Sequence, residues 1–185
     1  LLVTLLQADG LNTVSLSLDD FYLDGAARTR LAETVHPLLR TRGVPGTHDV
    51  DLARATVENL RRLEAEQAMR LPRFDKSRDE PVPAAQWDEV CGPVQVLILE
   101  GWFLACPAQP ATALNEPING LEHELDPQGT WRHWVNSQLA GDYQRLFAEL
   151  DYLLYLRAPS MEQVIQWRQK QELRAYVFLN LWASE

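Results

Sequence analysis

The run Val94-Gln-Val-Leu-Ile-Leu-Glu100-Gly101 constrains this chain more than any other stretch. It is short, aliphatic and β-branched, with Gly92-Pro93 in front and Gly101 behind, the pattern of a strand buried on both faces. Such strands belong to parallel sheets covered by helices. In open α/β sheets, ligands bind beyond the carboxyl ends of the strands, and this run ends on a carboxylate, Glu100. Two other stretches share the design. Val14-Ser-Leu-Ser-Leu runs into Asp19 and Asp20, and Tyr152-Leu-Leu-Tyr-Leu runs into Arg157. Three strand ends therefore bring acid, acid and base to one expected edge, the candidate active site.

The spacing between these strands predicts helices, and strands alternating with helices imply βαβ units. The opening residues read as the last turns of a helix, with Gly10 as its C′ residue. A helical stretch is expected over 26–39, then a shaped loop over 40–49 with two glycines and a proline. Asp49 is a candidate N-cap for a helix on which Ala53, Val57 and Leu60 recur at helical spacing, with helix formers continuing to about Arg70. A charged, proline-fenced segment follows over 71–81, and 106–129 reads as loop. Thr130 is the expected cap of a long helix carrying Val135, Leu139, Tyr143, Leu146 and Leu150 on one face. Ser160 and Gln163 form a capping box for the last helix.

A length of 185 residues is enough for one domain with a full core. The formal charge of -9 argues against a nucleic-acid partner. It leaves room for a small anion, which responds to a pocket's local field. Cys91 and Cys106 form neither a disulfide framework nor a metal spacing. They read as buried thiols in a reducing, cytoplasmic compartment. His36, His48, His123 and His133 show no ligand-like spacing. No apolar run reaches the roughly 20 residues that span a bilayer, so no membrane is expected. The oligomeric state is not set by these features.

Phosphoryl transfer suits the groups at the expected edge. It needs an acceptor to orient or deprotonate the nucleophile, a carboxylate near Mg²⁺, and cations for the transferring oxygens. Asp19 is the candidate acceptor and Glu100 the candidate metal-side carboxylate; Arg157, Arg168, Lys170 and Arg174 are the candidate cations. Each has a plainer reading. Asp19 and Asp20 can simply end a strand and cap a helix, Glu100 can be a turn residue, and 168–174 can be a solvated helix face.

Four segments occur in order: Ser17-Leu-Asp-Asp-Phe-Tyr22, Arg42-Gly-Val-Pro-Gly-Thr-His-Asp49, Pro72-Arg-Phe-Asp-Lys-Ser77 and Leu99-Glu-Gly-Trp-Phe103. Together they closely resemble the D-glycerate 3-kinase-like P-loop kinases, relatives of uridine kinase, phosphoribulokinase and pantothenate kinase, over roughly 12–175. The resemblance implies an α/β, P-loop NTPase-like three-layer fold with a mostly parallel sheet. It implies one domain over 1–185, incomplete at its N-terminus, with 106–130 as an irregular insertion and 160–175 as a lid-like helix. It further implies an ATP- and Mg²⁺-dependent kinase whose partners are ATP and a small organic acid, D-glycerate first.

By position, Asp19 matches the family's base or hydroxyl-orienting aspartate, and Glu100 the Walker-B-like acid near Mg²⁺. Asp20, Tyr22, His48, Asp49, Arg73 and Asp75 fall in segments that shape the acceptor pocket. Arg168, Lys170 and Arg174 fall where lid cations meet phosphate. The phosphate loop of the pattern G-x-x-x-x-G-K-[ST] does not occur in the 185 residues. It is expected just before Leu1, and the 185 residues alone are not expected to turn over ATP. Two alternatives stay open: a kinase for a nucleoside, sugar phosphate or pantothenate, and a non-catalytic nucleotide-fold binding protein.

Overall fold

The structure, a computed structural model, describes residues 1–182, with 174–182 by their backbone alone. It divides into two compact units, Leu1–Asp151 and a second that opens at Tyr152.

In the first unit, helix α1 (Leu2–Ala8) stops at Gly10, whose φ of 84° is a left-handed conformation open to glycine for want of a Cβ. Strand β1 (Thr13–Ser17) buries Val14 and Leu16 and exposes Ser15, so one of its faces meets the core. Asp24 accepts the N–H of Ala27 and opens α2 (Gly25–Thr34). Asp49 does the same for α3 (Val50–Arg61), accepting from the N–H of Leu52 at 2.8 Å. That helix turns Val50, Ala53, Val57 and Leu60 inward.

Strands β2 (Ala68–Leu71), β3 (Phe74–Asp75), β4 (Glu80–Pro81) and β5 (Asp88–Cys91) then form two antiparallel pairs, β2 with β5 and β3 with β4. Strand β6 (Val96–Glu100) lies parallel to β1, in a register that runs from Thr13 opposite Val96 to Ser17 opposite Glu100. Helices α4 (Gly120–Leu125), α5 (Thr130–Gln138) and α6 (Gln144–Phe147) follow. The core joins Val14, Leu16, Leu18 and Phe21 to the apolar face of α3, and to Phe103, Tyr143, Leu146 and Phe147. In the second unit the chain has no regular element until α7 (Met161–Trp182), where Ser160 Oγ accepts the N–H of Gln163 at 3.2 Å.

Several expectations fail for physical reasons. The helix expected to reach Arg70 ends at Arg61, because Ala68–Leu71 pairs with Asp88–Cys91 and ladder formation overrides helix propensity. The run 152–157 forms no strand: among the described residues no neighbour takes up its backbone groups, and Tyr152, Leu153, Leu154, Tyr155 and Leu156 are exposed. Strand β6 is half-buried rather than enclosed on both faces, with Leu97 and Leu99 packed against the core.

Thr130 does not cap α5. Gly129, at φ 78°, holds that position, and the buried carboxylate of Asp126 accepts the N–H groups of Trp131 and Arg132 from outside the helix. The long helix expected beyond it breaks at Gly141, inside a wide π-type turn over Leu139–Tyr143. Segment 106–130 holds α4 and a 3₁₀ turn over Ala111–Leu114, which Arg132 ties down through the carbonyls of Leu114 and Asn115. Both cysteines, expected to be buried, are exposed.

Candidate active site

The register of the parallel pair places the site. Ser17 lies opposite Glu100, so the chain leaves both strands at one edge, Asp19 two residues beyond Ser17 and Glu100 at the last rung. Immediately after β1 the backbone tightens into a 3₁₀ turn over Leu18–Phe21. Ser17 Oγ accepts the N–H of Asp19 at 3.2 Å, and Asp20 Oδ2 accepts the N–H of Ser17 at 3.0 Å. This reciprocal cap sorts the two acids. Asp20 braces the turn and pairs with Arg73 at 3.3 Å, while Asp19 is left facing outward from it.

Asp19 is held by Lys76, whose Nζ donates to its Oδ2 at 2.6 Å, and the nearby Tyr22 phenol also favours its ionised form. Burial pushes its pKa up, but the hydrogen bonds and the ammonium charge outweigh burial and hold the carboxyl below its ordinary range. A carboxylate so stabilised is a weak base and a well-fixed hydrogen-bond acceptor. Burial, together with the charge and hydrogen bond of Asp19, raises the phenol of Tyr22 far above its usual value, so it stays a donor.

The second motif segment is clipped to the first. Asp49 N–H donates to the carbonyl of Phe21 at 2.7 Å and Leu23 N–H to that of Thr47 at 3.0 Å, so Tyr22 and His48 face each other across a β-bridge. Buried Thr47 closes the loop, donating to the Val44 carbonyl and accepting the Gly43 N–H. Gly46 has φ 95°, and a Cβ there would come within 2.3 Å of the Trp134 ring, so the close approach and the backbone both require glycine.

The His48 ring stacks on Tyr22 at 4.3 Å, with Phe103 at 5.6 Å, and its Nδ1 lies 2.8 Å from Tyr143 Oη. Burial pushes its pKa down to about 4 against the pull of Asp19, so the ring is neutral near pH 7. Phe103 reaches this cluster from the strand-end segment after β6, where the exposed indole of Trp102 donates to the carbonyl of Gly43 at 3.2 Å.

Other sequence candidates fall into place differently. Asp75 accepts from the N–H and hydroxyl of Ser77 and so closes the turn that carries Lys76. Arg73 bridges Asp20 and Asp88. Arg157 is exposed in the irregular start of the second unit, and Arg168, Lys170 and Arg174 all lie on α7. Arg168 turns its guanidinium to Glu172 and Gln171 of its own helix; the side chain of Arg174 lies outside the described residues. Lys76 and Tyr143 join the site although neither stood out as a site residue in the sequence. Lys76 lay within a recognised segment, whereas Tyr143 carried only a helical-spacing signal.

Glu100 is exposed and makes no side-chain hydrogen bond or ion pair among the described residues. Among those residues no group of three or more His, Cys, Asp or Glu side chains is arranged to hold a metal ion. Mg²⁺ commonly takes one or two carboxylates, completing its shell with phosphate oxygens and water, so a lone open carboxylate at a strand end suits that ion. A cavity of about 450 Å³ borders His48, Asp49 and Tyr143, but neither Asp19 nor Glu100 lines it. The strand-end edge, not this cavity, is therefore where the candidate chemistry converges.

No family model matches the chain. It is 31% identical over 168 residues to the chloroplastic D-glycerate 3-kinase of Arabidopsis thaliana, an alignment covering 87% of this chain and 34% of the relative. An uncharacterized kinase of Schizosaccharomyces pombe is 31% identical over 175 residues, covering 87% of this chain and 59% of the relative. The D-glycerate 3-kinase structure from Cryptococcus neoformans superposes with a TM-score of 0.78 at 29% identity, covering 97% of this chain and 66% of that one. The chain thus spans between about a third and three-fifths of the length of these two curated relatives. Among the described residues no helix is long and apolar enough to cross a membrane.

Proposed function

Because the chain belongs, over the region it spans, to the family of D-glycerate 3-kinases and related kinases, we propose that the protein transfers the γ-phosphoryl group of ATP to a hydroxyl of a small organic acid, D-glycerate first. The observation that carries this reading is the shared edge: Ser17 opposite Glu100, with Asp19 just beyond. The depressed pKa of Asp19 fits hydroxyl orientation rather than strong general-base work, because an acceptor held ionised by Lys76 gains little by taking a proton.

Tyr22 and His48 wall the acceptor side, with Asp49 beside them. Asp20, Arg73 and Asp75 fix the turns that present Asp19 and Lys76. Glu100 would hold Mg²⁺, which neutralises charge on phosphate oxygens when bound. Arg168, Lys170 and Arg174 are the candidate phosphate cations.

A screen of ADP release over D-glycerate, uridine, pantothenate and ribulose 5-phosphate tests the reading. Turnover is expected with glycerate and at least tenfold less with the others, a ratio that one mismatched polar contact can supply. Preference for one of the other three reassigns the acceptor, and, in protein assayed with the phosphate-loop segment expected before Leu1, ADP release with none of them removes the kinase function.

A further inference from the structure

We propose that Tyr143 is a positioning residue: it holds His48 in the Nε2–H tautomer, so that this buried N–H is presented to an oxygen of the small-acid acceptor. The inference rests on His48 belonging to the acceptor side, as argued above, and adds a residue and a proton position to it.

Hydrogen-bond geometry carries the argument. Tyr143 is 2% exposed, and its Oη lies 2.8 Å from the N–H of Gly46 and 2.8 Å from His48 Nδ1. Of these two neighbours the Gly46 N–H is a fixed donor, with its hydrogen directed at Oη. A phenol oxygen has two acceptor sites and one hydrogen. Gly46 takes one acceptor site, and His48 Nδ1 is the one partner among the described residues to which the phenol hydrogen can be donated. In the opposite tautomer Oη would accept from both Gly46 and Nδ1, and the phenol hydrogen would be stranded without an acceptor in a buried place. His48 Nδ1 is therefore the acceptor and Nε2 carries the proton.

His48 itself is 5% exposed, and its Nε2 is buried with no partner among the described residues. A buried donor left unpaired calls for an explanation. The ring is fixed by Tyr22 on one face and Phe103 nearby, so the N–H is aimed before anything binds. A neutral donor of this kind suits a carboxylate or hydroxyl oxygen of the acceptor. It does not suit a cation. The orientation of the histidine depends on a residue 95 positions away, the same logic by which outer partners set the tautomer of metal-bound histidines.

The test is the ring ¹⁵N spectrum of His48 in the protein, with Tyr143→Phe and His48→Gln as variants. A protonated Nε2 and a bare Nδ1 at neutral pH are expected, with the Nε2–H resonance moving on addition of D-glycerate. Tyr143→Phe should raise the KM for the acid acceptor by about tenfold, the scale of one hydrogen bond, with kcat and the KM for ATP changed less than threefold. His48→Gln, whose amide can offer a donor without Tyr143, should keep acceptor binding better than His48→Ala. A proton on Nδ1, or Tyr143→Phe with an unchanged acceptor KM, overturns the inference. Failure of all phosphoryl transfer by protein that includes the phosphate-loop segment would instead strike the kinase reading, while the ring tautomer, read without substrate, would still decide the role of Tyr143.

Discussion

Asp19 and Glu100 leave the same edge of one parallel strand pair in opposite conditions. Asp19 sits in a braced corner: a reciprocal cap fixes its backbone, Lys76 holds its carboxylate, and neighbouring Tyr22 stacks on His48, which meets Phe103 and Tyr143. Glu100 is exposed with no described partner. The contrast separates two kinds of preparation. An acceptor group that must point at one hydroxyl gains from being fixed before the substrate arrives, because effective molarity depends on orientation. A carboxylate meant for a hydrated cation gains from staying open, since Mg²⁺ brings waters and phosphate oxygens of its own.

Mutations at the two strand ends should therefore differ in kind as well as size. The largest effect is expected at the braced end. Asp19→Asn keeps the shape and removes the charge, and kcat for phosphoryl transfer should fall by about 10³-fold with the KM for ATP little changed. Glu100→Gln should lower kcat by about 10²-fold and raise the Mg²⁺ concentration needed for half-maximal rate, which a magnesium titration reads directly. A loss at Glu100 that is insensitive to magnesium would erase the distinction between the two ends.

Lys76→Met is the smallest and sharpens the comparison most finely. Asp19 is held ionised below its ordinary range, so activity that needs its carboxylate persists above that lowered pKa and is lost as pH falls through it. Removing the ammonium raises the folded pKa. The acid limb of the pH–rate profile should move to higher pH, with about a tenfold loss at neutral pH. The corresponding change at Glu100 should leave that limb in place.

Much of this was legible along the chain, for local reasons. Asp49 caps α3 because a side-chain acceptor before an apolar helical face has one economical use. The two parallel strands follow from short aliphatic runs ending in acids. What the sequence hid was set by distant pairing. Residues 68–71 are good helix formers and become a strand because 88–91 lies alongside. The run 152–157 has strand composition and forms no strand among the described residues, since composition cannot provide a neighbour. Tyr143 has the spacing of a core residue and is one, packing on Phe103 and Phe147. Its hydroxyl meets His48 at the end of the wide turn that breaks the helix at Gly141, a contact that helical spacing alone does not announce. Lys76 was hidden differently: its role depends on the turn closed by Asp75 and Ser77, which brings it to an acid 57 positions away.

The central claim is that these two carboxylates act on one transferring group. A double-mutant cycle in kcat/KM, comparing Asp19→Asn, Glu100→Gln and the combined variant with D-glycerate as acceptor, tests it most directly. Groups that act as a unit are non-additive, so the combined variant should lose far less than the product of the two single losses. Losses that multiply in full would mean that Asp19 and Glu100 work independently, and would contradict the account.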